Sequence, residues 1–119
     1  MNNPRIAAQL YTIREYTKTP EDIEKSLKRV KDMGYNAVQV SGIGPIEDKE
    51  LKDIVDKIGL KICATHISFE RMQEDIDAVI EQHKLWDCQY VGLGSMPQKY
   101  RESKETVIEF AKEASEIGK

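Results

Sequence analysis

One short pattern recurs along the chain: an amphipathic helix, a turn position and an apolar strand. Met33-Gly34-Tyr35-Asn36-Ala37-Val38 shows it first, and Ile58-Gly59-Leu60-Lys61-Ile62 repeats it. Trp86-Asp87-Cys88-Gln89-Tyr90-Val91 puts an aspartate in the glycine slot, and Ile117-Gly118-Lys119 starts the pattern again. Glycine suits that slot because the residue after a helix often takes a left-handed conformation that a side chain disfavours. Slots at 34, 59, 87 and 118 leave room for one helix and one strand between them. The predicted order is therefore βα, four times over, as in a parallel α/β protein. Strands are expected at 6–10, 37–40, 60–65 and 90–93.

The helices between them read clearly. Thr19-Pro20-Glu21-Asp22 supplies an N-cap, a first-position proline and first-turn acids. Ile23, Leu27, Val30 and Met33 follow at helical spacing, and Leu51, Ile54, Val55 and Ile58 mark a second helix from about Asp48. A third is expected through Met72, Ile76, Val79, Ile80, Leu85 and Trp86, with His83 packed or half-exposed near its apolar face. Ser103 caps a fourth, striped by Val107, Phe110, Ala111, Ala114 and Ile117. Such stripes predict packing against a sheet.

With 119 residues the chain is the size of one domain, and no linker divides it. Net charge is −3 and the basic residues are dispersed among acids, which argues against nucleic acid as a partner. No run approaches 18 apolar residues, so a membrane-spanning helix is not expected. The N-terminal segment shows no signal-peptide core. Cys63 and Cys88 sit in apolar stretches, which predicts buried, reduced thiols and a cytoplasmic location.

Two architectures compete for a βα repeat. An open doubly wound sheet often has this length, whereas a (β/α)8 barrel typically needs about 250 residues. The strand ends favour the barrel. An open-sheet receiver places paired acids after strand one, and a flavin binder places a Ser/Thr/Gly-rich loop there. This chain has Gln9-Leu10-Tyr11-Thr12 and then Ile13-Arg14-Glu15-Tyr16. The loops at 42–45 and 94–97 carry no phosphate-binding fingerprint. Polar residues recur in alternation at the carboxyl ends: Gln9 and Tyr11, Gln39 and Ser41, His66 and Ser68. Residues at i and i+2 share one face of a strand. Extended inward, the same alternation places Ala7, Ala37, Ile62 and Ala64 in an interior lined by small apolar groups. Such an interior opens on a site at the carboxyl face.

The segments 6–14, 34–42 and 64–68 together resemble the sugar phosphate isomerase/epimerase family, the xylose isomerase-like TIM barrels. The resemblance covers the whole chain but only the N-terminal half of the family's barrel. It implies a (βα)4 half-barrel with amphipathic helices outside the parallel strands. It also implies substrate-pocket roles for Gln9, Tyr11, Gln39, His66 and Ser68, contacting a small sugar or sugar phosphate. His66 would donate to a hydroxyl or carbonyl oxygen, with Ser68 or Thr65 setting its tautomer. Gln9 and Gln39 equally suit a rim network joining neighbouring strands; for His66 the alternative is a histidine that closes the top of the strand bundle.

In the family, later strands supply the carboxylates and histidine that hold a divalent metal (Mn, Mg or Zn) and move the proton. Those strands are not in this sequence. Hence no catalytic residue and no metal ligand is assigned here. Glu15 and Glu70 read as solvated loop carboxylates. A metal is expected only in a complete barrel, and the fragment alone is expected to be inactive. The endonuclease branch of the superfamily needs many His, Asp and Glu ligands, and two histidines argue against it. The alternative is a non-enzymatic half-barrel assembly module. On either reading the expected protein partners are a second copy, giving a homodimer, or a complementary half-barrel.

Overall fold

A computed structural model describes residues 6–119; the leader assignment above falls on 1–5, outside the described residues. Four parallel strands form one sheet: β1 (Ala8–Gln9), β2 (Ala37–Val40), β3 (Lys61–His66) and β4 (Val91–Gly92). The spatial order is β1-β2-β3-β4, so every strand lies beside its neighbour in sequence. A doubly wound sheet reverses its strand order near the middle. This sheet does not, and it winds in the single sense of a barrel wall.

The helices are α1 (Pro20–Asp32), α2 (Asp48–Ile58), α3 (Phe69–Glu74), α4 (Ile76–Leu85) and α5 (Lys104–Ile117). Thr19 caps α1, its hydroxyl accepting from Asp22 N at 3.1 Å, with Pro20 at the first turn. Gly34, Gly59 and Asp87 all have positive φ, at 104°, 91° and 53°. The slot motif therefore terminates helices as expected in three of its four copies. Gly118 keeps a right-handed conformation, φ −71°.

The core lies on one side of the sheet. Ile23, Leu27 and Val30 of α1 and Leu51, Ile54 and Val55 of α2 pack with Val38 and Val40 of β2, Ile62 of β3 and Trp86. The Trp86 indole donates from Nε1 to Asp48 O at 2.9 Å, pinning the end of α4 to the start of α2. Lys31 Nζ donates to Gly59 O at 3.2 Å, a cation at the carboxyl end of α2, where it complements the helix dipole. The other face of the sheet is open. Ala37, Gln39 and Ala64 are half-buried, and Ala7, Gln9, Lys61, Cys63 and His66 are exposed.

Five expectations need correction. Strand one is shorter than 6–10: the chain leaves β1 at Gln9 and turns through a 3-10 segment, Leu10–Tyr16, so Tyr11 stands beside the strand end and not in the strand. Ile62 faces the helices, 3% exposed, because a β-bulge shifts the β2–β3 register from Val38↔Ile62 to Gln39↔Ala64. The extra residue is Cys63, which is exposed and not buried; its thiol donates to Val38 O at 3.4 Å. The third helix is two helices. Asp75 (φ −153°, ψ 71°) ends α3 and caps α4, its carboxylate accepting from Ala78 N at 3.1 Å. A short side chain that bonds its own backbone competes with helix continuation. Last, α5 buries none of its residues. It is held by Phe110, whose ring meets Phe69 (4.8 Å) and Tyr100 (5.3 Å), while Val107 and Ile108 face outward.

Candidate functional site

The carboxyl ends of β1 to β3 carry one continuous polar chain. Gln9 and Gln39 are register partners across β1 and β2. Tyr11 N donates to Ser41 Oγ at 3.2 Å, and Ser41 Oγ donates a long bond, 3.5 Å, to Gln39 Oε1. With Oε1 accepting, the Gln39 amide nitrogen is the donor, and it lies 3.0 Å from His66 Nε2. Neutral His66 must therefore accept at Nε2 and carry its proton on Nδ1. Gln39 orients the histidine, across |i−j| = 27 residues, in place of Ser68 or Thr65.

Both residues expected to set the tautomer are occupied elsewhere. Ser68 caps α3, its Oγ accepting from Arg71 N at 3.2 Å. Thr65 points to the helix side, fully buried, with Oγ1 2.6 Å from His83 Nε2. His83 Nδ1 lies 2.7 Å from Val79 O and must donate to that carbonyl, so Thr65 donates to Nε2. His83 is 4% exposed, a packed histidine with both nitrogens satisfied.

The other edge of the His66 ring rests on β4 and its loop. A Cβ on Gly94 would lie 3.2 Å from His66 Nδ1, and one on Gly92 would sit 2.4 Å from Thr65 O. Glycine at both positions lets β4 close against β3 and the ring lie flat. Among the described residues His66 Nδ1 has no hydrogen-bond partner, so its N–H is free to donate. A pocket of about 290 Å³ opens beside it, lined by Ser68, Phe69, Glu70, Gly94, Ser95 and Pro97.

Tyr11 is half exposed on the rim. Its ring lies over Gly42, where φ is +66° and a Cβ would come within 2.7 Å of Tyr11 Cδ2. Gln9 Oε1 accepts from Thr12 Oγ1 at 3.4 Å, within its own turn. So Gln39 and His66 meet directly, Tyr11 joins them through its backbone, Gln9 flanks them, and Ser68 lines the pocket while capping a helix. Ser41 and Gly94 escaped the sequence reading as site residues. Ser41 was visible in the i, i+2 alternation; nothing local in the sequence tells that Gly94 meets His66.

No group of three or more His, Cys, Asp or Glu side chains capable of holding a metal exists among the described residues. The open face offers amides, an imidazole and hydroxyls. A hard divalent cation prefers several oxygen anions, so these residues do not fit one.

A parallel sheet in sequential order, helices on one face and polar residues at the carboxyl rim define half of a TIM barrel. Among solved structures, a sugar phosphate isomerase/epimerase from Parabacteroides distasonis matches it with a TM-score of 0.63 at 22% identity, over 94% of this chain and 49% of the other. The chain thus spans about half the length of that protein. No family model and no curated protein matches the sequence.

Proposed function

We propose that the chain is one half of a sugar phosphate isomerase/epimerase-like barrel, and that its carboxyl rim holds a small sugar or sugar phosphate. The observation behind this reading is the Gln39–His66 pair. An oriented imidazole N–H on an open rim, backed by glycine and flanked by amides, suits vicinal hydroxyls and a carbonyl oxygen. His66 donates from Nδ1, Gln9 and Gln39 set the polar floor, and Tyr11 forms a wall. Metal-assisted proton transfer belongs to the complete barrel, with the carboxylates supplied outside this chain; alone the half is a binding scaffold without turnover. A second reading, a non-enzymatic assembly module, draws on the exposed open face, which suits a protein surface as well as a pocket.

The test is a titration of the chain with ribose 5-phosphate followed by amide NMR. Shifts are expected at Gln39, His66 and Gly94. Gln39→Leu, which frees the imidazole to change tautomer, is expected to weaken binding about tenfold, as loss of one oriented hydrogen bond implies. Shifts confined to remote surface residues, or none, would favour the assembly module.

A further inference from the structure

The hydrogen bonds that join Ser41, Gln39 and His66 run in one direction, and a single proton fixes that direction. With His66 neutral, Ser41 Oγ donates to Gln39 Oε1 and Gln39 Nε2 donates to His66 Nε2 at 3.0 Å. Tyr11 N donates to Ser41 Oγ from the other side, at 3.2 Å. A protonated imidazole carries N–H on both nitrogens. His66 Nε2 would then confront the Gln39 amide N–H, donor against donor, at 3.0 Å. Half a turn of the Gln39 amide removes the conflict. That terminal torsion is broad and roughly two-fold, so oxygen and nitrogen change places without backbone movement. Oε1 then accepts from His66, and Nε2 faces Ser41 Oγ, which must accept from it.

We infer that the rim chain is a proton-operated switch: when His66 gains a proton, the Gln39 amide turns over and the bonds between β3 and β2 reverse direction. The consequence falls on Ser41, which is 4% exposed. Its hydroxyl changes from a donor to an acceptor for both Gln39 and Tyr11, and its own proton loses the acceptor it had. The charge state of β3 is thereby read at Tyr11, on the turn leaving β1. Imidazole is the side chain that ordinarily titrates between pH 5 and 8. Few charges face the ring. β2 presents Gln39 and Ser41, and β4 with its loop presents Gly92 and Gly94. The start of α3 presents Ser68 and Glu70, and Glu70 is the charged group lining the pocket beside His66. On β3 itself the titratable groups Lys61 and Cys63 stand toward the amino end. Arg14 lies over the Tyr11 ring at 4.2 Å and donates to Tyr11 O, so it touches the chain at its far end. The switch is a property of the unliganded rim and stands or falls separately from the sugar-binding reading.

The test is NMR on the full chain, labelled with carbon-13 and nitrogen-15, from about pH 8 to about pH 5. Ring nitrogen shifts are expected to show neutral His66 protonated on Nδ1 at the alkaline end. On acidification the Gln39 side-chain amide and the Tyr11 backbone N–H are expected to shift with the midpoint of the His66 ring. In Gln39→Leu the ring still titrates and Gly94, which meets it directly, still shifts, but the Tyr11 response is lost. In Ser41→Ala the amide is no longer oriented from β2. The ratio of the two neutral His66 tautomers is then expected to fall about fivefold, as loss of one neutral hydrogen bond implies. Matching circular dichroism melts check that both variants fold. A Tyr11 N–H that ignores the His66 midpoint would overturn the switch. So would one that follows it equally in Q39L, since the proton would then act through space and not through the amide. Neutral His66 protonated on Nε2, or a tautomer ratio untouched by S41A, would overturn it as well.

Discussion

At the scale of single residues, the two cysteines have opposite fates. Cys63 is the extra residue in the β2–β3 register and lies on the open face, while Cys88 is buried against the helix layer. Burial pushes the Cys88 thiol above its ordinary value, only partly offset by hydrogen bonding with the Tyr90 backbone. Less of it is thiolate at any given pH, and the thiolate is the nucleophile. Ellman's reagent on dilute native protein is thus expected to titrate one thiol promptly at pH 8, with the second reacting only at more alkaline pH or in denaturant. Peptide mapping should place the fast adduct on Cys63. Prompt modification of both would mean that the β3–β4 region opens freely. The same bulge explains why Ile62, expected among the interior residues, joins the core instead.

At the scale of elements, the helix–turn–strand slot offers a direct test. Asp87 occupies with φ 53° a position where Gly34 and Gly59 stand in the other units. A side chain in the left-handed region costs about 1 kcal/mol, and aspartate tolerates it better than most. Asp87→Gly relieves that strain but adds freedom to the unfolded chain. The expected net effect is a gain of about 0.5 kcal/mol, seen as a rise of about 2–3 °C in Tm. A fall in Tm would show that the Asp87 side chain contributes something the turn geometry does not reveal. The elements also show where local signals compete. The apolar spacing from Met72 to Trp86 reads as one helix, yet Asp75 supplies a cap that divides it, and a cap contributes about 1 kcal/mol.

At the scale of the whole molecule, the half-barrel is elongated. Its radius of gyration is 15.6 Å, against about 13.5 Å for a compact domain of this length. One sheet face is bare, and the sheet ends on β1 and β4, which have no outer partner among the described residues. Two copies related by a two-fold axis would cover both edges and both faces. The methyls of Ala7, Ala37 and Ala64 together supply only about 2 kcal/mol, whereas micromolar association needs about 8 kcal/mol. Edge pairing and the outward face of α5, where Val107 is 42% and Ile108 46% exposed, must supply the rest. Sedimentation equilibrium at tens of micromolar is expected to give about twice the 13.6 kDa chain mass. A single 13.6 kDa species with a cooperative melt would show that the chain is stable with its open face in water.

What the sequence determined by itself was the repeat and its wall. Helical spacing, the Thr19 and Ser103 caps and the slots at 34, 59 and 87 are local in origin, since propensity, capping and left-handed turns act over three or four residues. They suffice to give four βα units and helices α1 and α2 with their buried stripes, except that Met33, expected in the α1 stripe, follows the end of the helix and is 64% exposed. Alternation at the strand ends also showed Gln39 and His66 on one face. Only the tertiary structure decided the rest. The bulge at Cys63 depends on how β2 and β3 align, and no residue in Ile62-Cys63-Ala64-Thr65 announces it. The His66 tautomer depends on Gln39, 27 residues away, and α5 touches the rest of the molecule through Phe110 on Phe69 and Tyr100, which no local pattern specifies. Hydrogen-bond direction and burial are properties of pairs brought together by folding, and a one-dimensional pattern specifies only which residues are able to form them.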